Sequence, residues 1–325
     1  MNAPLLEGPA AGTDVVTLGE TMALFKADAA GPLAHVHGWS LGIGGAESNV
    51  AVALQRLGTP VTWIGRIGAD SPGDLVVREL RAEGITVIPV RDETAPTGLM
   101  VKERRTADAL KVWYYRSGSA GSRLAPEDLP AGVIEQSRLL HVTGITPALS
   151  TSAAAAAHHA IDRARAAGVL VSFDLNYRAA LWSQEAAREQ YRQIIAKADI
   201  VFAGEDEAAI AVGPAPDVRE LAGRIADLGP SQVILKRGAR GCLALVDGAG
   251  HAREAVPVKA VDTVGAGDAF VGGYLSELLR GSDVDQRLLL ATQVGAFACL
   301  VPGDWEGAPR RSELHLLDPH DPVTR

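Results

Sequence analysis

The chain has 325 residues, 47% hydrophobic and 22% charged, with a formal net charge of -8 and an isoelectric point near 5.5. That composition supports one large soluble core, and its acidity opposes a broad phosphate-backbone footprint, so nucleic acid is not an expected partner. No segment approaches the ~20 uninterrupted apolar residues that span a bilayer, and the opening MNAPLLEGPAAGTD lacks the basic start and apolar run of a secretory leader. A cytoplasmic protein without a membrane partner is expected.

Residues 1–13 read as a flexible tail, followed by a first core strand, DVVTLG (14–19). Residues 20–44 are polar and aromatic and read as short strands with turns, His35 and His37 alternating on one of them. A helix, AESNVAVALQRLG (46–58), leads to a strand, VTWIGRIG (61–68), and a second helix, SPGDLVVRELRAEG (71–84). Residues 88–116 repeat the short-strand character. Strand LLHVTG (139–144), the alanine-rich helix 150–168 carrying His158 and His159, and strands VLVSFDLN (169–176), DIVFAG (199–204) and QVILKRG (232–238) then alternate. Apolar strands alternating with helices predict a parallel sheet covered on both faces, and a glycine after each of the three helices suits a helix C-cap. The segments about 20–44 and 88–116 would form a small β-sheet lid near the carboxyl ends of the core strands, where open α/β sheets bind ligands. With no internal repeat or low-complexity linker, the lid would be an elaboration of one chain fold, and 317–325 is expected to be a second tail. The two cysteines, Cys242 and Cys299, lie in apolar runs as reduced buried thiols. Neither a disulfide framework nor a zinc site follows, and the histidines are read as structural.

The stretch VDTVGAGDAF (261–270) places a carboxylate, Asp268, directly behind a Gly-Ala-Gly turn. Phe270, Tyr274 and Leu278 recur every four residues, so a helix starts near Ala266 with Gly265 and Gly267 at its mouth. The first amides of a helix lack intrahelical acceptors, and glycines let a ligand approach them. With the helix dipole they form a cup for a phosphate. Asp268 stands at the rim, although a carboxylate that merely caps the helix would look the same.

DTVGAGDAFVGGYL resembles the C-terminal signature of the ribokinase-like sugar kinases, GIGGAESNVAVALQRLG (42–58) their N-terminal Gly-Gly signature, and LKRGARG (235–241) their nucleotide-binding strand and turn. The likeness spans roughly residues 14–316. It implies a three-layer α/β/α sandwich with a small β-sheet lid, ATP as phosphoryl donor with Mg2+, and Asp268 as catalytic base toward a sugar hydroxyl. The amides of Gly265, Ala266, Gly267 and Asp268 would hold the charge of the transferring group. Asn176, Lys236, Gly238 and Gly241 would join Gly265 and Gly267 around the nucleotide. Gly44 and Gly45 would let the sugar approach backbone, and Asn49 would offer its amide to hydroxyls.

Two further strings, VWYYRSGSAGSRLAPEDL (112–129) and FDLNYRAALWS (173–183), resemble kinases of 2-keto-3-deoxygluconate. Tyr114 and Arg116, two apart on a strand, share a face, and Arg178 follows a core strand at its carboxyl end. The two arginines would meet a substrate carboxylate, unless each merely pairs with a surface acid. PGDWEGAPRRSEL (302–314) resembles the same subfamily, with Asp304 on a substrate hydroxyl. Two departures stand out: Gly204 replaces the asparagine of an Asn-x-x-Glu string whose glutamate, Glu207, would act on magnesium through water, and Met100 stands where a tyrosine is frequent. The expected activity is ATP-dependent phosphorylation of 2-keto-3-deoxygluconate at its terminal hydroxyl. A kinase of 5-keto-2-deoxygluconate or fructose and a silent sugar-binding regulator remain as alternatives. Exposed lid strands pairing edge to edge make a homo-oligomer the expected assembly.

Overall fold

The computed structural model describes residues 13–106 and 109–317, so nearly all of both expected tails, 1–12 and 318–325, lies outside the described residues. In chain order, β1 (Val15–Leu18) is followed by an antiparallel pair, β2 (Met22–Ala27) and β3 (Trp39–Gly44), then α1 (Ala46–Arg56), β4 (Val61–Gly68), α2 (Ser71–Ala82) and β5 (Thr86–Asp92). A second antiparallel pair, β6 (Leu99–Arg104) and β7 (Leu110–Tyr115), precedes β8 (Leu139–Thr143), the short α3 (Ile145–Leu149), α4 (Thr151–Ala166) and β9 (Leu170–Asp174). The chain continues through α5 (Gln184–Ile195), β10 (Ile200–Gly204), α6 (Glu205–Val212), α7 (Val218–Ala226), β11 (Gln232–Lys236) and the hairpin β12 (Cys242–Val246) and β13 (Ala249–Arg253). It then reaches α8 (Ala266–Leu279) and α9 (Val284–Ala298).

The main sheet runs β13-β12-β11-β10-β9-β8-β1-β4-β5, parallel from β11 to β5. Its strands send alternate residues into two different cores, as the two-residue period of a strand requires. Val201 and Ala203 of β10 pack with helices α4 to α7, whereas Ile200 and Phe202 pack with α1, α2, α8 and α9. Burial on both faces gives the α/β/α sandwich the resemblance implied, each buried Val, Leu or Ile contributing ~1.5–3 kcal/mol. Helix limits follow local chemistry: Asp70 and Ser150 accept the amides of Gly73 and Ala153 as N-caps, while Gly58, Gly84 and Gly168 take φ of 85°, 84° and 74° just past the C-termini.

The small sheet has the order β3-β2-β6-β7. The lid boundary is corrected at one end: residues 88–92 belong to β5, the edge strand of the main sheet, paired in parallel with β4. Pro89 lends this strand the look of irregular chain, and an edge position is where a sheet tolerates a proline. His35 ends a 3-10 turn (Leu33–His35) and His37 lies in the connection to β3, so the two do not alternate on a strand. Pro32, which opens that turn, favours it over an extended run. The hairpin of β12 and β13 was not among the expected strands, although its Asp247-Gly248 turn, φ 49° and 80°, is a strong two-residue hairpin signal. Cys242 is buried and Cys299 only half-buried, both as free thiols. No described helix is long and apolar enough to cross a membrane.

Candidate active site

Gly265 caps α8 from the left-handed region, φ 75°, and a side chain there would collide with the carbonyl oxygen of Asp304. The helix start is therefore seated directly on the 303–308 segment. The Ala266 amide leans on Thr263 O at 3.3 Å and the Ala269 amide on Gly265 O at 2.8 Å, which leaves the amides of Gly267 and Asp268 directed out of the helix end. The Lys236 ammonium lies 3.7 Å from where a Cβ of Gly267 would stand. Two amides, the positive end of the helix and one cation thus face a common space, an arrangement suited to a polyphosphate.

Asp268 is 8% exposed and its Oδ2 accepts a 2.8 Å hydrogen bond from Asn49 Nδ2 of α1. Asn176 Nδ2 approaches Oδ1 at 3.5 Å from the end of β9, its backbone at φ 43°, a conformation asparagine tolerates better than most residues. Burial pushes the Asp268 carboxyl up to about 7, with the negative charge of Asp174 adding to the rise and the Asn49 amide, Lys236 and Arg178 opposing it. Beneath it, Asp174 of β9 and Lys236 of β11 form a buried ion pair at 2.7 and 2.8 Å. Burial works against the charge of both. The carboxylates of Asp174 and Glu207 nevertheless hold Lys236 above its ordinary value, while burial keeps Asp174 raised.

On the opposite side, a side chain on Gly44 would collide with the Asp304 carboxylate and the Met100 methyl, and one on Gly45 with the Glu20 carbonyl oxygen. The groups that approach these two glycines are the protein's own; the sugar that the signature implied would have to share this space. Asn49, expected to meet hydroxyls, spends its amide on Asp268. Tyr114 and Arg116 do lie side by side, the guanidinium 5.8 Å from the ring centroid, with Tyr114 46% exposed. Arg116 also has a partner that the sequence did not reveal: Glu20, buried at the end of β1, takes its Nε at 2.7 Å and its Nη2 at 2.5 Å. Arg178 makes no ion pair among the described residues and acts electrostatically on Asp174 and Asp268. Asp304 is buried in an ion pair with Lys102 of β6, a second residue not singled out beforehand. Glu47 is a third. It is fully buried beside Gly19, bonded by Thr143 and Thr146 at 2.7 Å, and burial raises its carboxyl. The only sequence signal for these three is a charge inside a buried pattern.

Glu207 accepts the amides of Gly204 at 2.7 Å and Tyr177 at 3.0 Å, so it caps α6 and ties down the loop carrying Asn176 and Arg178. Gly204 joins this bond through its backbone. Among the described residues no group of three or more His, Cys, Asp or Glu is arranged to hold a metal ion. Mg2+ is frequently held by one or two carboxylates plus substrate phosphates, which this donor set can match.

Beside the α8 start lies a cleft of about 610 Å³. Its lining includes Lys236, Gly238, Gly241 and Gly267 together with the apolar Val256, Pro257, Val258 and Ala296. A cation and glycines beside apolar side chains fit phosphates joined to a base, and the volume lies in the ordinary range for a small-molecule site. The expected Lys236, Gly238, Gly241 and Gly267 are together there, and Gly265 adjoins them. The apolar wall was missed because such residues look like ordinary core.

The sequence profile described as pfkB family carbohydrate kinase matches residues 12–311. The 2-dehydro-3-deoxygluconokinase of Bacillus subtilis (strain 168) is 36% identical over 306 residues, covering 93% of this chain and 94% of its own. The 2-dehydro-3-deoxygalactonokinase of Haloferax volcanii is 32% identical, covering 90% and 92%. Among solved structures, a PfkB protein from Polaromonas sp. JS666 superposes with a TM-score of 0.85 at 36% identity, covering 94% of this chain and 99% of the other.

Proposed function

The chain belongs to the pfkB family of carbohydrate kinases, phosphotransferases with an alcohol group as acceptor, and on that premise we propose that it phosphorylates 2-keto-3-deoxygluconate at the terminal hydroxyl, with ATP and Mg2+ as cofactors. The observation that carries the reaction is Asp268. It is buried, titrates near neutrality and is held by Asn49 between the nucleotide cleft and the Gly44-Gly45 backbone. A carboxylate with that pKa is matched to taking a hydroxyl proton near pH 7. ATP with its metal ion supplies the phosphoryl group and the charge neutralisation of its oxygens. The chain's own part is to position and to stabilise. Lys236 and the amides of Gly267 and Asp268 hold the phosphates, with Gly265 and Ala266 shaping the turn, and Gly238 and Gly241 keep the nucleotide's path clear of side chains. Asn176 keeps Asp268 aligned, and Glu207 would serve the metal ion through water.

On the acceptor side, Arg116, set by Glu20 and flanked by Tyr114, and Arg178, without an ion pair among the described residues, serve the carboxylate of a sugar acid. Asp304 takes a hydroxyl. A neutral hexose would leave a free guanidinium without use. The relatives' names divide between epimers, and Met100 offers no hydrogen bond that would choose one. The test is ATP consumption with Mg2+ on 2-keto-3-deoxygluconate, its galacto epimer, 5-keto-2-deoxygluconate, fructose and ribose. Preference for the keto-deoxy acids by kcat/KM is expected. Preference for fructose or ribose would remove the carboxylate from the argument.

We further propose that the protein works as a homo-oligomer through its small sheet. One face of that sheet meets the active site through Lys102 and Met100. The other leaves a 690 Å³ apolar depression among Phe25, Leu33, Trp39, Val101, Trp113 and Tyr115. Glu103 and Lys111, opposite in charge and both in contact with Trp113, lie cross-strand on that face, so a two-fold copy can pair them reciprocally. Sedimentation of wild type and Trp113→Glu should show a dimer or larger assembly reduced in the variant. A wild-type monomer at micromolar concentration would refute the assembly.

A further inference from the structure

Lys102 is among the least expected residues in this fold. It is a lysine on a four-stranded surface sheet, yet only 4% exposed. Its ammonium points from β6 across to the 303–308 segment, where it forms an ion pair with Asp304 Oδ1 and lies 3.6 Å from Asp262 Oδ2. Beyond that ion-pair contact, neither Lys102 Nζ nor Asp304 Oδ1 has a hydrogen-bond partner among the described residues. The other oxygen, Asp304 Oδ2, is turned to the Gly44 backbone, and the carbonyl of Asp304 abuts Gly265 at the start of α8. Asp304 therefore bridges the glycines of the two signatures, and the cation that answers its charge comes from a different layer of the protein.

Burying a carboxylate in such a place is costly unless a cation accompanies it. The groups facing Asp304 are Lys102 from β6, Asp262 from the turn before α8, and Glu306 from its own segment, the last already engaged by Lys26 of β2 at 2.6 Å. Burial raises Asp304, and the charges of Glu306 and Asp262 add to that, so Lys102 is what opposes protonation. Lys26 to Glu306 and the Trp305 Nε1 bond to Ile43 O at 3.1 Å complete a strap from the small sheet to the main domain.

We propose that Lys102 is a positioning residue for the acceptor sugar: by docking the small sheet onto Asp304 it keeps that carboxylate charged and aimed at Gly44, ready to accept a hydrogen bond from a sugar hydroxyl. This rests on the kinase reading and on a sugar seated at Gly44, but not on which sugar it is. The assay accordingly uses whichever sugar of the panel the wild type phosphorylates best.

In Lys102→Met the buried Asp304, without the cation that opposes its protonation, should hold its proton to higher pH and lose its charge as an acceptor. The KM for the sugar should rise about tenfold or more at pH 7 while the KM for ATP stays within about twofold. Because the lost function is ionisation, the sugar KM should fall again as pH rises toward 9. In the double variant Lys102→Met with Asp304→Asn it should stay high at every pH. A thermal melt on each variant shows whether it is folded. A folded Lys102→Met with wild-type sugar KM, or one whose KM values for sugar and ATP rise together without pH recovery, would overturn the assignment. A wild type inert to every sugar would overturn the kinase reading and this inference with it, whereas a wild type preferring a neutral sugar would overturn only the sugar-acid proposal.

Discussion

Asp268→Asn should lower kcat by about 10²–10⁴-fold, the usual contribution of a positioned general base, while the affinity for ATP changes little. The wild type should lose kcat/KM as pH falls below the value of about 7 that burial imposes on Asp268, because only the ionised carboxylate can take the hydroxyl proton. Stability should move the opposite way. The folded-state pKa lies above the ordinary 3.8, so below about pH 4 the group is protonated whether folded or unfolded and costs nothing. Between about 4 and 7 the unfolded chain gives up its proton more readily than the folded one, and stability falls. Above 7 the cost is complete, on the order of a few kcal/mol. The Asn variant, which carries no charge to bury, should therefore melt higher than wild type at pH 8 and equally with it near pH 4. Asn49 Nδ2 keeps an acceptor in the new amide oxygen, so the geometry survives. Thermal unfolding across that range, beside a pH-rate profile, tests both halves. A variant retaining a tenth of the activity, or a rate flat from pH 5.5 to 8, would remove Asp268 as base.

The parts of the fold legible in the sequence are those whose signals are local. VTWIGRIG reads as a strand and is one from Val61 to Gly68, since its β-branched and apolar residues serve two cores. Helix ends at Gly58, Gly84 and Gly168 are legible because the left-handed conformation is a property of the single residue. β5 was misread because Pro89 is acceptable only at an edge, and the sheet's edges are a fact of topology rather than of sequence.

The site divides in the same way. Gly265 and Asp268 announce themselves within one turn of helix, and Gly44, Gly45 and Asn49 within another. What cannot be read locally is who answers each charge. Arg116 looks like a free guanidinium until β1 brings Glu20 to it, and Asp304 looks like a loop residue until β6 brings Lys102. Both partners arrive only through the pairing of β2 with β6 and the seating of the small sheet, contacts between residues far apart in the chain. Electrostatic roles are therefore the last thing a sequence yields. They depend on the summed placement of several strands.

Lys236 shows the same limit most strongly, and Lys236→Met should have the largest effect on stability of any substitution considered. Among the described residues its ammonium is the one cation bonded to Asp174, a carboxylate whose side chain is 1% exposed. Removing one member of a buried ion pair costs on the order of 3–5 kcal/mol, most of it from the charge left unanswered. Because burial already raises Asp174, the orphaned group would escape part of the cost by binding a proton, and the deficit should grow as pH rises from 5 to 8. Adding Asp174→Asn to Lys236→Met should return much of the lost stability, since a neutral amide is cheaper to bury than an unpaired carboxylate. ATP affinity should not return, because the ammonium facing the α8 start is still missing. Melting curves at two pH values and calorimetric titration with ATP separate the roles. If the double variant regained both stability and ATP binding, Lys236 would be a counter-ion of the core and no part of the phosphate site. If it regained stability alone, one lysine would serve both, neutralising a buried strand end and drawing the phosphates to the helix that carries Asp268.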